Sequence, residues 1–228
     1  MTEEDAQRWL AAQGWWDGKA GDRLRGFVTR LLEEADRQNL ISMNSRAHIW
    51  ARHIVDSAQL VRLAGRLTDG LWLDLGTGAG LPGLVAACLV EMPVTLIEAR
   101  PLRTAFLQRC VEALDLAHVT VRTDKVERTQ LDRPASVISA RAFAPLDRLF
   151  AIAHHLSDEN TVWLLPKGRH AEKELEKIER DWQAMFHVEH SLTDPDSSIV
   201  ILRQLRRRPA GSSKPSSAQK IRKRSRRA

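Results

Sequence analysis

Apolar positions fall at helical spacing through the first part of the chain. Leu24, Phe27, Val28, Leu31 and Leu32 recur every three or four residues, and Ile49, Trp50, His53, Ile54, Ser57, Leu60 and Val61 do so again. That period marks two amphipathic helices. Asn39 to Ser45 (NLISMNS) separates them with turn-prone residues, and Asn44 or Ser45 suits the cap of the second. Residues 1–65 therefore read as an N-terminal helical segment that must bury its apolar faces against the rest of the chain.

From Leu71 the pattern changes to short apolar runs alternating with amphipathic stretches. Strands are expected at 71–75, 94–98, 118–123, 135–140 and 161–168, and helices at about 82–92, 101–116, 146–156 and 171–186. Strands and helices in rotation mean a parallel sheet covered on both faces. The ending breaks the rotation: 186–192 and 199–205 are strands with Asp194-Pro195-Asp196-Ser197-Ser198 between them. So short a turn joins antiparallel neighbours. The expected fold is α/β, a Rossmann-like, mostly parallel sheet over 66–205 with a C-terminal antiparallel hairpin, plus the N-terminal helices.

Composition narrows the functional classes. Two cysteines among 228 residues cannot build a disulfide scaffold or a thiolate metal cluster. The N-terminus carries acids where a signal peptide needs basic residues, and no apolar run reaches the ~20 residues that span a bilayer. A cytoplasmic protein with no membrane partner, and a monomer, is the expectation. The formal charge is +6, but residues 206–228 hold ten Lys/Arg and no acid, leaving 25 basic against 29 acidic residues elsewhere. A mildly acidic globular part thus carries a basic tail of Ser, Pro, Lys and Arg, read as disordered. A polyanionic partner is implied, and Arg206, Arg207 and Arg208 are candidate RNA contacts.

The chemistry begins at Gly76-Thr77-Gly78-Ala79-Gly80-Leu81-Pro82-Gly83, which follows the 71–75 strand and opens a helix. Glycines there allow a tight turn and close approach of a ligand to the backbone. Two cofactors fit. Gly78-x-Gly80-x-x-Gly83 with Glu98 twenty residues on satisfies the NAD pattern, which would make the chain an NAD-dependent oxidoreductase. Asp74, two residues before Gly76, instead resembles the first motif of class I S-adenosyl-L-methionine (SAM) methyltransferases, and the closing hairpin resembles their sheet. Glu98 would hold ribose hydroxyls in either case.

Other residues bear on the reaction. Cys88 and Cys110 fall in helices and read as packed thiols, not nucleophiles. After the fourth strand, Ser139-Ala140-Arg141-Ala142-Phe143-Ala144 lacks the acid and proline pair usual for methylation of an exocyclic amine. An acceptor with an in-plane lone pair, such as guanine N7, needs no general base, and no catalytic base is assigned. Arg141 and Lys167 follow strand carboxyl ends, where a cation can grip a phosphate or carboxylate. Phe143 could stack on a base or pack in the core. The His187/His190 and His154/His155 pairs point apart, so no metal site is expected.

Asn39-Leu40, Arg52-His53-Ile54-Val55-Asp56-Ser57, Asp74-Leu75-Gly76-Thr77-Gly78-Ala79-Gly80-Leu81-Pro82-Gly83 and Arg141-Ala142-Phe143 together resemble the ribosomal RNA small subunit methyltransferase G family. This family is also called glucose-inhibited division protein B, and the similarity runs from about residue 22 to 205. The resemblance implies transfer of a methyl group from SAM to N7 of one guanine in bacterial 16S rRNA, near the decoding centre. The partner would be the small ribosomal subunit or its precursor. By position, Gly76 and Leu81 match residues lining the cofactor, Val126 and Glu127 match the pair beside the adenine, and Arg141 matches an arginine near the methionine end or the acceptor. Ala140 stands where the family usually has Ser directly before that arginine, and the basic tail lies outside the family pattern.

Overall fold

The computed structural model describes residues 1–65 and 69–209. Helix α1 (Glu3–Ala12) starts at a capping box between Thr2 and Asp5, and α2 (Gly18–Ala35) buries Leu24, Phe27, Val28 and Leu31 as their spacing predicts. The second helical run is divided into a short α3 (Met43–Arg46), a π-helical stretch (Trp50–Val55) and α4 (Asp56–Ala64). Neither Asn44 nor Ser45 caps it. Both lie inside α3, where the Ser45 hydroxyl donates to the Ser42 carbonyl at 2.8 Å. The Glu3 carboxylate serves instead, accepting from the amides of Trp50 (3.0 Å) and Ala51 (2.9 Å).

Seven strands follow: β1 (Trp72–Leu75), β2 (Val94–Glu98), β3 (Val119–Thr123), β4 (Val137–Ser139), β5 (Val162–Lys167), β6 (Trp182–His190) and β7 (Ser198–Arg207). Their spatial order is β3-β2-β1-β4-β5-β7-β6, parallel through β5, with β7 antiparallel to both neighbours. Helices α5 (Gly83–Leu89), α6 (Pro101–Ala113), α7 (Leu146–Ala153) and α8 (Ala171–Ile178) complete the layers. Residues of β1 alternate between two cores. Trp72 joins Phe27, Leu31, Ile54 and Leu96 on one face, while Leu73 and Leu75 join Phe150 and Trp163 on the other. The apolar faces of the N-terminal helices thus share a core with the sheet. No helix among the described residues is long and apolar enough to cross a membrane.

Two expectations need correction. The stretch 171–186 is not one helix: α8 ends at Ile178 and Trp182 opens β6. Leu175, Ile178 and Trp182 keep helical spacing, but Trp182 reaches the core from a strand, packing edge-on to Phe150 at 5.6 Å. Pairing of eight β6 residues with β7 outweighs the local helix preference of Gln183-Ala184-Met185. Second, β7 runs on to Arg207, so Arg206 and Arg207 belong to the sheet and not to the tail. Residues 66–68, at the expected start of the second segment, and 210–228, most of the expected disordered tail, lie outside the described residues.

After β1 the chain builds β2 and β3 to one side, then returns to place β4 on the other. The crevice between the carboxyl ends of β1 and β4 is the topological switch point of this sheet, where ligands of open α/β folds bind.

Candidate active site

At that switch point the glycine loop leaves β1 and Arg141 leaves β4. Asp74 ties the two strands together. It is fully buried, and its Oδ1 accepts from Ser139 Oγ (2.5 Å) and its Oδ2 from the Gly83 amide (3.1 Å). Ser139 Oγ in turn accepts from Trp72 Nε1 at 2.9 Å. The motif acid is therefore a brace that clamps both ends of the loop. Burial pushes its carboxyl up to about 6 despite the hydrogen bonds from Ser139 and Gly83, which favour the charged form.

Gly76 and Gly83 show what the loop asks of glycine. Gly76 has φ +64°, and a Cβ on it would lie 2.2 Å from Phe143 Cδ2. At Gly83 a Cβ would meet Leu96 Cδ2 at 2.4 Å and Asp74 Oδ2 at 2.6 Å, so only glycine lets α5 start this close to the sheet. Glu98, buried at the end of β2, accepts from the Gly78 amide (3.0 Å) and the Arg100 amide (2.9 Å), with Arg103 Nη1 3.8 Å away.

Two cavities flank this loop. One of about 460 Å³ is lined by Glu98, Val126 and Glu127, and one of about 890 Å³ by Gly78, Leu81, Arg141 and Lys167. Gly76, Arg103, Ala142, Phe143 and Ala144 line both. Every cofactor residue expected from the sequence thus falls on one of two adjoining cavities. Ala142 sits at φ +51°, a left-handed conformation rare outside glycine, on the turn that sends Phe143 back over Gly76. The half-buried ring of Phe143 packs on the second core, as one of the two readings had it, and also walls both cavities.

Arg141 Nη2 donates to His53 Nδ1 at 2.9 Å, and Nη1 lies 3.3 Å from Asp56 Oδ2. Both partners line the larger cavity. In the sequence His53 and Asp56 stand in a motif that gives them no role, because their partner Arg141 is distant in the chain, 88 residues from His53. Burial first, then the charges of Arg141 and Arg52, push the His53 ring down to about 4.

The RNA-contact candidates fare differently. Lys167 lines the larger cavity, but its ammonium already donates to the Ala144 carbonyl and to Glu174 Oε2, each at 2.9 Å. Arg206, Arg207 and Arg208 are not beside it. Ser198 of β7 pairs with Lys167, so the far end of β7 lies at the amino-terminal edge of the parallel strands, opposite the cavities. There Arg206 pairs with Glu159, and Arg208 Nε donates to the Glu179 and Trp182 carbonyls. Cys88 and Cys110 are buried, with thiols pushed up to about 12 by burial, which removes them as nucleophiles.

The donor set suits SAM, which needs an acid for its ribose hydroxyls and a cation for its carboxylate. An acid, Glu98, lines one cavity and a cation, Arg141, the other, with Gly76 walling both. The family model described as rRNA small subunit methyltransferase G (GidB) matches residues 21–199. The chain belongs to this family. Methyltransferase G proteins of Novosphingobium aromaticivorans (48% identical, covering 90% of each chain) and Sphingopyxis alaskensis (49% identical, 87% of this chain and 85% of the relative) are among its relatives. The fold is shared with the glycopeptide N-methyltransferase MtfA solved with SAM (TM-score 0.55, 12% identity, 67% and 94% covered). It is shared also with a SAM-dependent methyltransferase from Aquifex aeolicus (TM-score 0.54, 15% identity, 68% and 92% covered). Membership in the methyltransferase G family makes SAM the cofactor and leaves the oxidoreductase alternative without support.

Proposed function

We propose that this chain, acting as a cytoplasmic monomer, methylates N7 of a guanine in 16S rRNA, on the small ribosomal subunit or its precursor. The observation that carries the reading is the placement of Glu98 on the smaller cavity and of Gly78 and Arg141 on the larger, with Gly76 walling both and room in the larger one beside Arg141 for an acceptor. Glu98 would take the ribose hydroxyls, Val126 and Glu127 the adenine, Gly76, Gly78 and Leu81 the central part, and Arg141 the methionine carboxylate. SAM supplies an electrophilic methyl group on a sulfonium.

The remaining work belongs to the protein and is mostly positioning. Transfer to N7 moves the positive charge from sulfur to the base and releases no proton. The larger cavity agrees with this, because the imidazole and the carboxylate beside Arg141 are already engaged. His53 uses Nδ1 on Arg141 and Nε2 on Ser45. Asp56 faces Arg141 and accepts from Gln59 Nε2 (3.1 Å) and Thr193 Oγ1 (3.0 Å). An acceptor that must lose a proton would find neither of these two free to take it, whereas guanine N7 needs no base. Calorimetric titration with S-adenosylhomocysteine and with NAD tests the cofactor assignment. Binding of the first and not the second is expected, and the reverse would overturn it.

A further inference from the structure

His53 and Asp56 come from a π-helical stretch and the first residue of α4, a widened turn of the kind that re-aims side chains at functional sites. Hydrogen bonding fixes the state of the imidazole. Ser45 Oγ gives its own hydrogen to the Ser42 carbonyl (2.8 Å), so at 2.9 Å from His53 Nε2 it must accept. Nε2 therefore carries the hydrogen, and Nδ1 is left to accept from Arg141 Nη2 at 2.9 Å. A doubly protonated ring would turn an N–H on the guanidinium. Asp56 is fixed as firmly, with Oδ1 accepting from Gln59 and Thr193 while Oδ2 lies 3.3 Å from Arg141 Nη1. Two of the guanidinium nitrogens thus face two anchored partners, and Arg141 Nη1 has no hydrogen-bond acceptor among the described residues. The charges of Arg141 and Asp56 balance, so the trio adds no net charge beside a cationic methyl donor.

We propose that His53 and Asp56 are positioning residues that hold the Arg141 guanidinium in the one orientation in which it meets the methionine carboxylate of the cofactor. This rests on the reading of Arg141 given above and goes beyond it by naming the groups that act through Arg141.

The test compares two ligands by calorimetry: S-adenosylhomocysteine, and 5′-methylthioadenosine, which keeps the nucleoside and thioether but lacks the amino-acid portion. In His53→Ala, S-adenosylhomocysteine should bind about tenfold more weakly, the worth of one hydrogen bond to a charged group, while methylthioadenosine is unchanged. His53→Asn keeps an acceptor near the Nδ1 position and should recover most of the loss, whereas His53→Gln should not. That pair decides the matter if the alanine variant does not fold. Asp56→Asn should weaken S-adenosylhomocysteine alone. Equal weakening of both ligands, or identical behaviour of the Asn and Gln variants, would overturn the proposal. A wild-type protein that binds neither ligand would overturn the cofactor reading beneath it.

Discussion

Asp74 and Gly76 stand two residues apart and were both legible in the sequence, yet their roles came out differently. Gly76 does what a glycine after a strand suggests, and adding a methyl there meets two obstacles, the left-handed φ and the Phe143 ring. Gly76→Ala should destabilise the fold by about 1–2 kcal/mol and abolish measurable S-adenosylhomocysteine binding in a calorimetric titration. Asp74 stood out only as a motif acid and is a buried brace, a role the sequence hides because spacing shows which residue stands before the loop but not that Ser139 lies across the strand pair from it. Its carboxyl is held at about 6 against an ordinary 3.8. A raised acid is most stabilising when protonated, below its unfolded value, and that contribution fades as pH rises through 6. Relative to Asp74→Asn, the wild type should therefore lose up to about 3 kcal/mol of unfolding free energy between pH 4 and pH 7. Urea titrations at several pH values measure this, and a difference that stays flat would contradict the account.

Elements were legible where the period of the apolar residues changed and hidden where it did not. The parallel strands and their helices stand out because continuous apolar runs alternate with amphipathic ones. The α8–β6 junction does not, since Leu175, Ile178 and Trp182 satisfy a helix and a helix-turn-strand equally well. The π-helical stretch escaped for a similar reason, its apolar spacing being that of an ordinary helix. Its start is held from a distance by Glu3, whose carboxylate takes the Trp50 and Ala51 amides, beside a Trp16–Trp50 edge-on contact at 4.9 Å. Glu3→Ala removes a helix cap of the usual worth, about 1 kcal/mol, and should lower the melting temperature by about 2–4 °C. Glu3→Gln, which keeps one acceptor, should lower it less. Calorimetric melts of the two variants check the order.

On the scale of the whole molecule, the sheet order brings the crevice residues together and sends the basic end of β7 elsewhere. Glu98, Gly76 and Arg141 were each expected at strand ends, and three parallel neighbours put them on one rim. Arg206–Arg208 were expected near the substrate and lie at the opposite edge, because an antiparallel last strand reverses direction. The seven Lys/Arg of residues 210–228 are a separate matter. Removing those residues should weaken RNA binding and reduce its salt dependence by a slope of up to about 5, at ~0.7 per phosphate contacted, leaving S-adenosylhomocysteine affinity unchanged. Filter binding across a salt series reads this directly, and an unaltered slope would mean that the tail makes no phosphate contacts. Methyl transfer to guanine N7 can be read by incubating the full chain with small subunits lacking the modification and radiolabelled SAM, then digesting the RNA to nucleosides. Label in 7-methylguanosine of 16S rRNA is expected, and label in any other nucleoside, or none, would contradict guanine-N7 methylation.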